Sequence, residues 1–211
     1  MRIVFPLFER FTALDAIGPY EVLSRLPGAE IVFAAVMPGP VRTDVGLALV
    51  ADLGLGDVDG CDILVVPGGP GTESVAVEGN PLVEWVRSVH EHSTWTTSVC
   101  TGSEVLGAAG VLEGLRATTH WACVDRLESF GASYSATRVV IEGKVMTAAG
   151  VSAGIDMALL LAKLVAGEET AKAIQLGIEY DPQPPFDSGS VAKASSTTVD
   201  VVRAVMAARQ V

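Results

Sequence analysis

The chain has 211 residues, with 14 Lys+Arg against 25 Asp+Glu and a formal net charge of −11. An apolar fraction of 49% with only 18% charged residues excludes a disordered chain, and the length suits one α/β domain spanning 1–211. The acidic balance argues against a nucleic-acid partner or an anionic membrane surface.

Arg2–Leu7 is a short apolar run of strand type, and Leu14–Leu26 reads as a helix with Leu14, Ile17, Val22 and Leu26 facing inward. Ala29–Val36 is a second strand, and Val41–Asp52 a hairpin or edge excursion turning at Asp44–Gly46. Asp62–Val66 is continuously apolar after its first residue, as expected of a central parallel strand covered on both faces. It stops at the loop Pro67-Gly68-Gly69-Pro70-Gly71. Asn80 and Pro81 open a helix running to about His92, as N-cap and first helical residue. Thr94–Val99 is a β-branched strand, and a helix begins directly after Cys100. A short strand over Arg116–His120, a helix over Ala122–Phe130 and a hairpin of Val139–Ile141 with Lys144–Ala149 follow. Helices are expected over Val151–Val165, Glu168–Tyr180 and Ser195–Gln210, with a Pro-rich loop at Pro182–Gly189. Strands alternating with helices imply a mainly parallel sheet sandwiched by helices. In such sheets ligands bind beyond the carboxyl ends of the strands. Parallel strands would bring Asp15, Gly68-Gly69, Cys100 and Ala149-Gly150-Val151 to one edge.

Three cysteines, Cys61, Cys100 and Cys123, are an odd number at irregular spacing, which fits free thiols in a reducing cytoplasm. The first apolar stretch is cut by Glu9 and Arg10, too early for a signal peptide, and the run Ala148–Gly167 contains Asp156 and Lys163, so no membrane span is expected.

Cys100, in Ser98-Val99-Cys100-Thr101-Gly102, sits where a buried strand turns straight into a helix, the cysteine version of a nucleophile elbow. The helix N-terminus behind it favours thiolate and so a lowered pKa. The alternative is a small buried hydrophobe at a strand end. Cys61 and Cys123 lack that context and read as packing residues, with Cys123 close to the same region. Asp15 has two readings: a capping carboxylate at the helix start, or an acid/base whose pKa is raised by a neighbouring thiolate. Gly68 and Gly69 form either a plain turn or a place for close backbone approach to a ligand. His120 ends a strand at the cleft, as a ligand contact or a structural histidine. His90 and His92 lie two apart on a helix and read as solvated surface. No cysteine or histidine spacing matches a zinc site, and no glycine pattern for nucleotides follows a strand.

Several segments, taken in order, resemble the DJ-1/PfpI superfamily of class I glutamine amidotransferase-like folds. They are Leu14-Asp15-Ala16-Ile17-Gly18-Pro19-Tyr20-Glu21, Val66-Pro67-Gly68-Gly69, Thr97-Ser98-Val99-Cys100-Thr101-Gly102-Ser103, Thr118-Thr119-His120-Trp121, Ala149-Gly150-Val151-Ser152-Ala153-Gly154 and Glu179-Tyr180-Asp181-Pro182. The nearest branch is that of the isonitrile hydratases. The resemblance implies a flavodoxin-like fold, a homodimer, no metal or organic cofactor, and hydration of an isonitrile to an N-substituted formamide through a cysteine thioimidate. On it, Cys100 is the nucleophile and Asp15 the proton donor. Thr101 orients the reactants, backbone N–H groups of Gly69 and Thr101 hold the sulfur or a developing anion, and Gly68, Gly69, His120 and Val151 line the substrate site. Two departures from other branches matter: Thr101 stands where amidase and peptidase members carry histidine, and Asp15 where many relatives carry glutamate. The 21 residues after Ser190 are too few for the DNA-binding region of regulators sharing this fold. The competing readings are a glyoxalase or deglycase acting through the same cysteine, and a non-enzymatic cysteine redox sensor.

Overall fold

The computed structural model describes residues 1–209. They fall into two compact units, the first Met1–Ile178 and the second beginning at Glu179. In chain order the first unit contains β1 (Arg2–Pro6), α1 (Ala13–Leu23), β2 (Glu30–Ala35), β3 (Gly39–Arg42), β4 (Ala48–Ala51), β5 (Leu53–Gly54) and β6 (Ile63–Val66). Next come α2 (Thr72–Val75), α3 (Pro81–His92), β7 (Trp95–Val99), α4 (Gly102–Ala108), β8 (Arg116–Ala117) and α5 (Val124–Ser129). β9 (Ser133–Tyr134), β10 (Val139–Glu142), β11 (Val145–Ala148), α6 (Ala153–Ala166) and α7 (Glu168–Gly177) complete it. The second unit holds one helix, α8 (Ser196–Arg209); the expected terminus of that helix at Gln210 lies outside the described residues. Among the described residues no helix is long and apolar enough to cross a membrane.

Seven strands form one sheet in the order β10-β11-β7-β6-β1-β2-β5. Every pairing is parallel except that of the edge strand β10 with β11. All four residues of β6, Ile-Leu-Val-Val, are buried, which is why the segment reads as one apolar run. The chain winds outward from β1 to β2, then returns to the other side of β1 with β6. That reversal opens a crevice at the carboxyl ends of β1 and β6. Helices flank the sheet: α1 packs on α6 and α6 on α7, while α4 packs against α2, α3 and α5. Asn80 caps α3 as expected, its Oδ1 accepting from the Leu82 N–H at 2.9 Å.

Three expectations change. Leu14 is 39% exposed rather than inward. The buried side of α1 carries Asp15, Ala16, Gly18, Pro19, Val22 and Leu23, because small residues let α1 approach α6, with Gly18 beside Ile155 and Pro19 beside Gly154. The expected strand Arg116–His120 shrinks to β8, which pairs with β9 outside the main sheet. Its threonines turn to other partners: the Thr118 N–H donates to Thr147 Oγ1 at 2.9 Å and Thr119 Oγ1 to the Cys100 carbonyl at 3.1 Å. α6 begins at Ala153 rather than Val151, because Val151 has φ +24°, outside helical space. The expected hairpin at 41–52 forms as β3 with β4, and its turn reaches back to the start of α1. Arg10 N–H donates to Arg42 O at 2.8 Å and Asp44 N–H to Phe11 O at 3.0 Å.

Candidate active site

The parallel strands deliver four segments to one edge, and direct contacts join them. Cys100 follows β7 with φ +56°, a left-handed conformation that costs a non-glycine residue of order 1–3 kcal/mol unless its surroundings fix it. They do. Its N–H is shared between the carbonyls of Ala148 at 3.1 Å and Ala149 at 2.9 Å. Its own carbonyl accepts from Ser103 Oγ and Thr119 Oγ1, both at 3.1 Å. The backbone of Cys100 is therefore held from both sides. α4 starts immediately beyond, at Gly102, whose position leaves no room for a Cβ against the Val66 carbonyl (2.2 Å).

Asp15 lies in the first turn of α1 and is fully buried. Its carboxylate does not cap its own helix; it crosses to the loop after β6, where Oδ2 accepts from the Gly68 N–H at 2.9 Å. Among the described residues Oδ1 has no nitrogen or oxygen hydrogen-bond partner, and the Cys100 thiol is the group that acts on this carboxyl. Burial pushes the carboxyl up to about 7; the Gly68 N–H and the Cys100 thiol pull it down, and the charge of Asp44 adds a smaller upward push. Desolvation, and not the neighbouring thiolate expected from the sequence, is the main cause of the rise.

The glycine loop is tied to the elbow through Thr101. Its Oγ1 accepts from the Gly69 N–H at 2.8 Å and lies 3.2 Å from the Gly69 carbonyl. Both glycine N–H groups are thus engaged, Gly68 with Asp15 and Gly69 with Thr101, so the donation expected from Gly69 to the sulfur is not made. The Thr101 hydroxyl fixes the loop to the elbow. Instead, backbone N–H groups of Val151 and Thr101 stabilise the Cys100 thiolate. They do not prevail: burial, helped by the negative charge of Asp15, holds the thiol well above its ordinary pKa. The expected lowering by the helix N-terminus is therefore overturned, because Cys100 is 5% exposed and desolvation exceeds what two N–H donors return.

Gly69 has φ +136°, and a Cβ there would lie 2.5 Å from the Thr12 N and 2.6 Å from the Arg10 carbonyl, both backbone atoms. Replacing it with Ala should cost roughly 2–4 kcal/mol and displace the loop carrying the Asp15 partner. Thermal melts of G69A should show a Tm drop of several degrees with loss of most activity; an unchanged Tm would contradict this geometry.

His120 is half-buried against Gly150, where a Cβ would come within 2.9 Å of its Cδ2. Its Nδ1 accepts from the Ala122 N–H at 3.3 Å, which assigns the proton of the neutral ring to Nε2, and burial lowers its pKa. It therefore borders the Gly150–Val151 turn that presents an N–H to the sulfur. Cys123 is half-buried and close enough for its charge to be felt at Cys100, and burial raises its pKa to about 11. Cys61 lies at the other end of β6, with its pKa pushed to about 12 by burial. His92 is exposed as expected, but His90 is half-buried, its Nδ1 2.8 Å from Thr96 Oγ1. Among the described residues no group of three or more His, Cys, Asp or Glu side chains is placed to hold a metal ion.

Sequence reasoning missed one buried charge behind the elbow. Glu104, on α4, is 1% exposed and pairs with Arg126 Nη2 at 2.9 Å, while Arg126 Nη1 reaches Glu73 on α2 at 3.3 Å. Burial raises the Glu104 pKa, and Arg126 opposes the rise. The spacing of Glu104 from Cys100, one helical turn, was its only signal.

A flavodoxin-like α/β domain with a cysteine on a strained strand-to-helix elbow, beside a buried carboxyl from the first turn of the first helix, is a narrow structural class. The chain belongs to the DJ-1/PfpI family, whose model matches residues 1–164. It is 43% identical over 203 residues to an isonitrile hydratase of Pseudomonas putida, covering 96% of this chain and 89% of that protein. Its fold matches the crystal structure of a ThiJ/PfpI family protein from Pseudomonas syringae with a TM-score of 0.94 at 35% identity, over 99% of this chain and 87% of that one. A glutathione-independent glyoxalase of Caenorhabditis elegans is 28% identical over 163 residues, covering 76% of this chain and 86% of that protein.

Proposed function

We propose that this protein hydrates isonitriles to N-substituted formamides through a covalent intermediate on Cys100. The observation that carries the reading is the Asp15–Cys100 pair. Asp15 has one oxygen anchored on Gly68, the other has no nitrogen or oxygen partner among the described residues, and the Cys100 thiol lies close enough to hydrogen-bond the carboxyl. The covalent route requires addition of the thiol S–H across a single isonitrile carbon, so one group must accept the sulfur proton and return it to the substrate. A buried carboxyl beside the thiol is sufficient for this. The 43% identity to an isonitrile hydratase supports the same choice.

In the one-proton form of the pair, Cys100 S–H faces the Asp15 carboxylate. Asp15 takes the proton as sulfur bonds to the terminal carbon, then delivers it to that carbon, giving R–N=CH–S–Cys100. The N–H groups of Val151 and Thr101 stabilise the sulfur while it carries charge. Water deprotonated by Asp15 adds to the thioimidate carbon, with the proton passing to nitrogen. Collapse of R–NH–CH(OH)–S–Cys100 expels the thiolate, which recovers its proton, and releases R–NH–CHO. No metal or organic cofactor enters any step.

Activity should therefore follow the ionisation of the pair. The first proton leaves with a midpoint near 7, and the second is held to a pH well above the ordinary thiol range. kcat/KM should rise through about pH 7 and stay level to at least pH 9. A profile that falls as pH rises through 7 would instead make the neutral carboxylic acid the active form.

Incubating the protein separately with an aryl isonitrile and with methylglyoxal tests the substrate class: formamide should form and methylglyoxal should persist. The reverse would assign it with the glyoxalase relative. A thiol kept protonated is slow to oxidise, which counts against a redox sensor.

A further inference from the structure

The turn that presents an N–H to the sulfur has a conformation its sequence resists. Val151 is β-branched, yet its φ of +24° lies outside the regions such a residue favours. A residue held there persists only where its surroundings over-determine it. The bonds from Ala153 N–H to Gly150 O, at 3.0 Å, and from Gly154 N–H to Val151 O, at 3.3 Å, are internal to the turn and do not tie it to another element.

The start of α6 also lacks a cap of its own. Ser152 stands at the N-cap, where a serine hydroxyl ordinarily accepts from an N–H of the first turn, but its side chain makes no such bond. Its Oγ accepts instead from Arg138 Nη2 at 3.3 Å, and Arg138 Nε donates to Asp156 Oδ2 in the first turn of α6. Arg138 holds the other flank as well. Its carbonyl accepts from the Ala149 N–H at 2.9 Å, and the Ala149 carbonyl accepts in turn from the Cys100 N–H at 2.9 Å. One residue, just ahead of β10, therefore grips positions 149, 152 and 156 on both sides of Gly150 and Val151. A half-exposed ion pair contributes little to global stability, so the consequence of this grip is local.

We infer that Arg138 is a positioning residue for the reaction: it clamps both flanks of the Gly150–Val151 turn and thereby keeps the Val151 N–H on the Cys100 sulfur. The inference rests on Cys100 as the reacting group. The donor matters twice in that reaction, when sulfur gives up its proton and when thiolate leaves the tetrahedral intermediate. Without the guanidinium, α6 is free to extend backward through Ser152 and Val151, as the apolar pattern of the sequence favours. Val151 then relaxes to a helical φ and its N–H turns away from the sulfur.

Amide hydrogen exchange and kinetics of the full-length protein test this. R138M keeps the aliphatic stem and loses the guanidinium, and D156A removes its partner on α6. In both, the Val151 amide should exchange about 10-fold faster or more, while the Thr101 and Ala149 amides stay within about twofold of the wild type. R138K, which keeps a cation for Asp156, should retain the slow Val151 exchange. With an aryl isonitrile, kcat of either clamp variant should fall about 10-fold and KM hold within about twofold, because the donor acts on charged sulfur and not on bound substrate. Should R138M fail to fold, D156A carries the same comparison. Unchanged Val151 exchange would overturn the inference, as would faster exchange spread over all amides, or an unchanged kcat beside a freed Val151. If the wild type itself leaves the isonitrile untouched, the proposed reaction fails, and the exchange of Val151 alone then decides the clamp.

Discussion

Replacement of Cys100 by Ala is expected to reduce formamide formation to the uncatalysed rate, a loss of at least about 10³-fold, because the covalent step has no other acceptor. The effect should be confined to chemistry. Ala removes one sulfur from a site whose backbone is fixed by the Ala148, Ala149, Ser103 and Thr119 contacts, and these do not involve the side chain of residue 100. Thermal stability of C100A should therefore change by no more than roughly 1–2 kcal/mol. Loss of turnover with a large fall in Tm would mean that the sulfur serves packing. Retained turnover would end the covalent proposal.

Asp15→Asn should separate function from stability in opposite directions. Asn cannot carry a proton between sulfur and carbon, so kcat should fall by about 10²–10⁴. Its carbonyl oxygen still accepts from the Gly68 N–H, which preserves the local fold. The Asp15 carboxyl titrates at about 7 in the fold against a model-peptide value of 3.8. Below pH 4 both states hold the proton and Asp15 costs nothing. Between pH 4 and 7 the unfolded chain ionises while the fold stays neutral, so stability declines as pH rises, and above 7 the full penalty is present. D15N removes that penalty. At pH 8 it should be more stable than the wild type by roughly 2–4 kcal/mol, an advantage that vanishes near pH 4. Urea unfolding at the two pH values checks this. Destabilisation of D15N at pH 8 would return Asp15 to an ionised structural role.

The parallel sheet was legible because buried strands are written as unbroken apolar runs, and the site because parallel strands place their ends together. Asp15, Gly68, Gly69 and Cys100 could be grouped on that ground alone. What stayed hidden depends on desolvation and on backbone direction. The helix start after Cys100 argued for thiolate, but no sequence pattern reveals that the sulfur is almost completely buried. The sequence pattern of Gly69 fits an anion donor, but its N–H is taken by Thr101 Oγ1, 32 residues away across the loop. The Thr118–Thr119 pair has strand propensity, yet its partners are Thr147 and Cys100, contacts set by tertiary structure. Leu14 was misplaced because the inner face of α1 is chosen by close approach to α6, which favours Gly18 and Pro19 over the largest apolar side chain.

The central claim, that the Asp15–Cys100 pair hydrates isonitriles, is tested most directly by mixing wild-type protein with excess aryl isonitrile. Formamide release is then followed alongside rapid-quench intact mass. The expected result is catalytic formamide production with a transient adduct on Cys100 equal to the mass of the isonitrile. Formamide produced at the uncatalysed rate, or turnover with no adduct when the thioimidate is trapped at low pH, would contradict it.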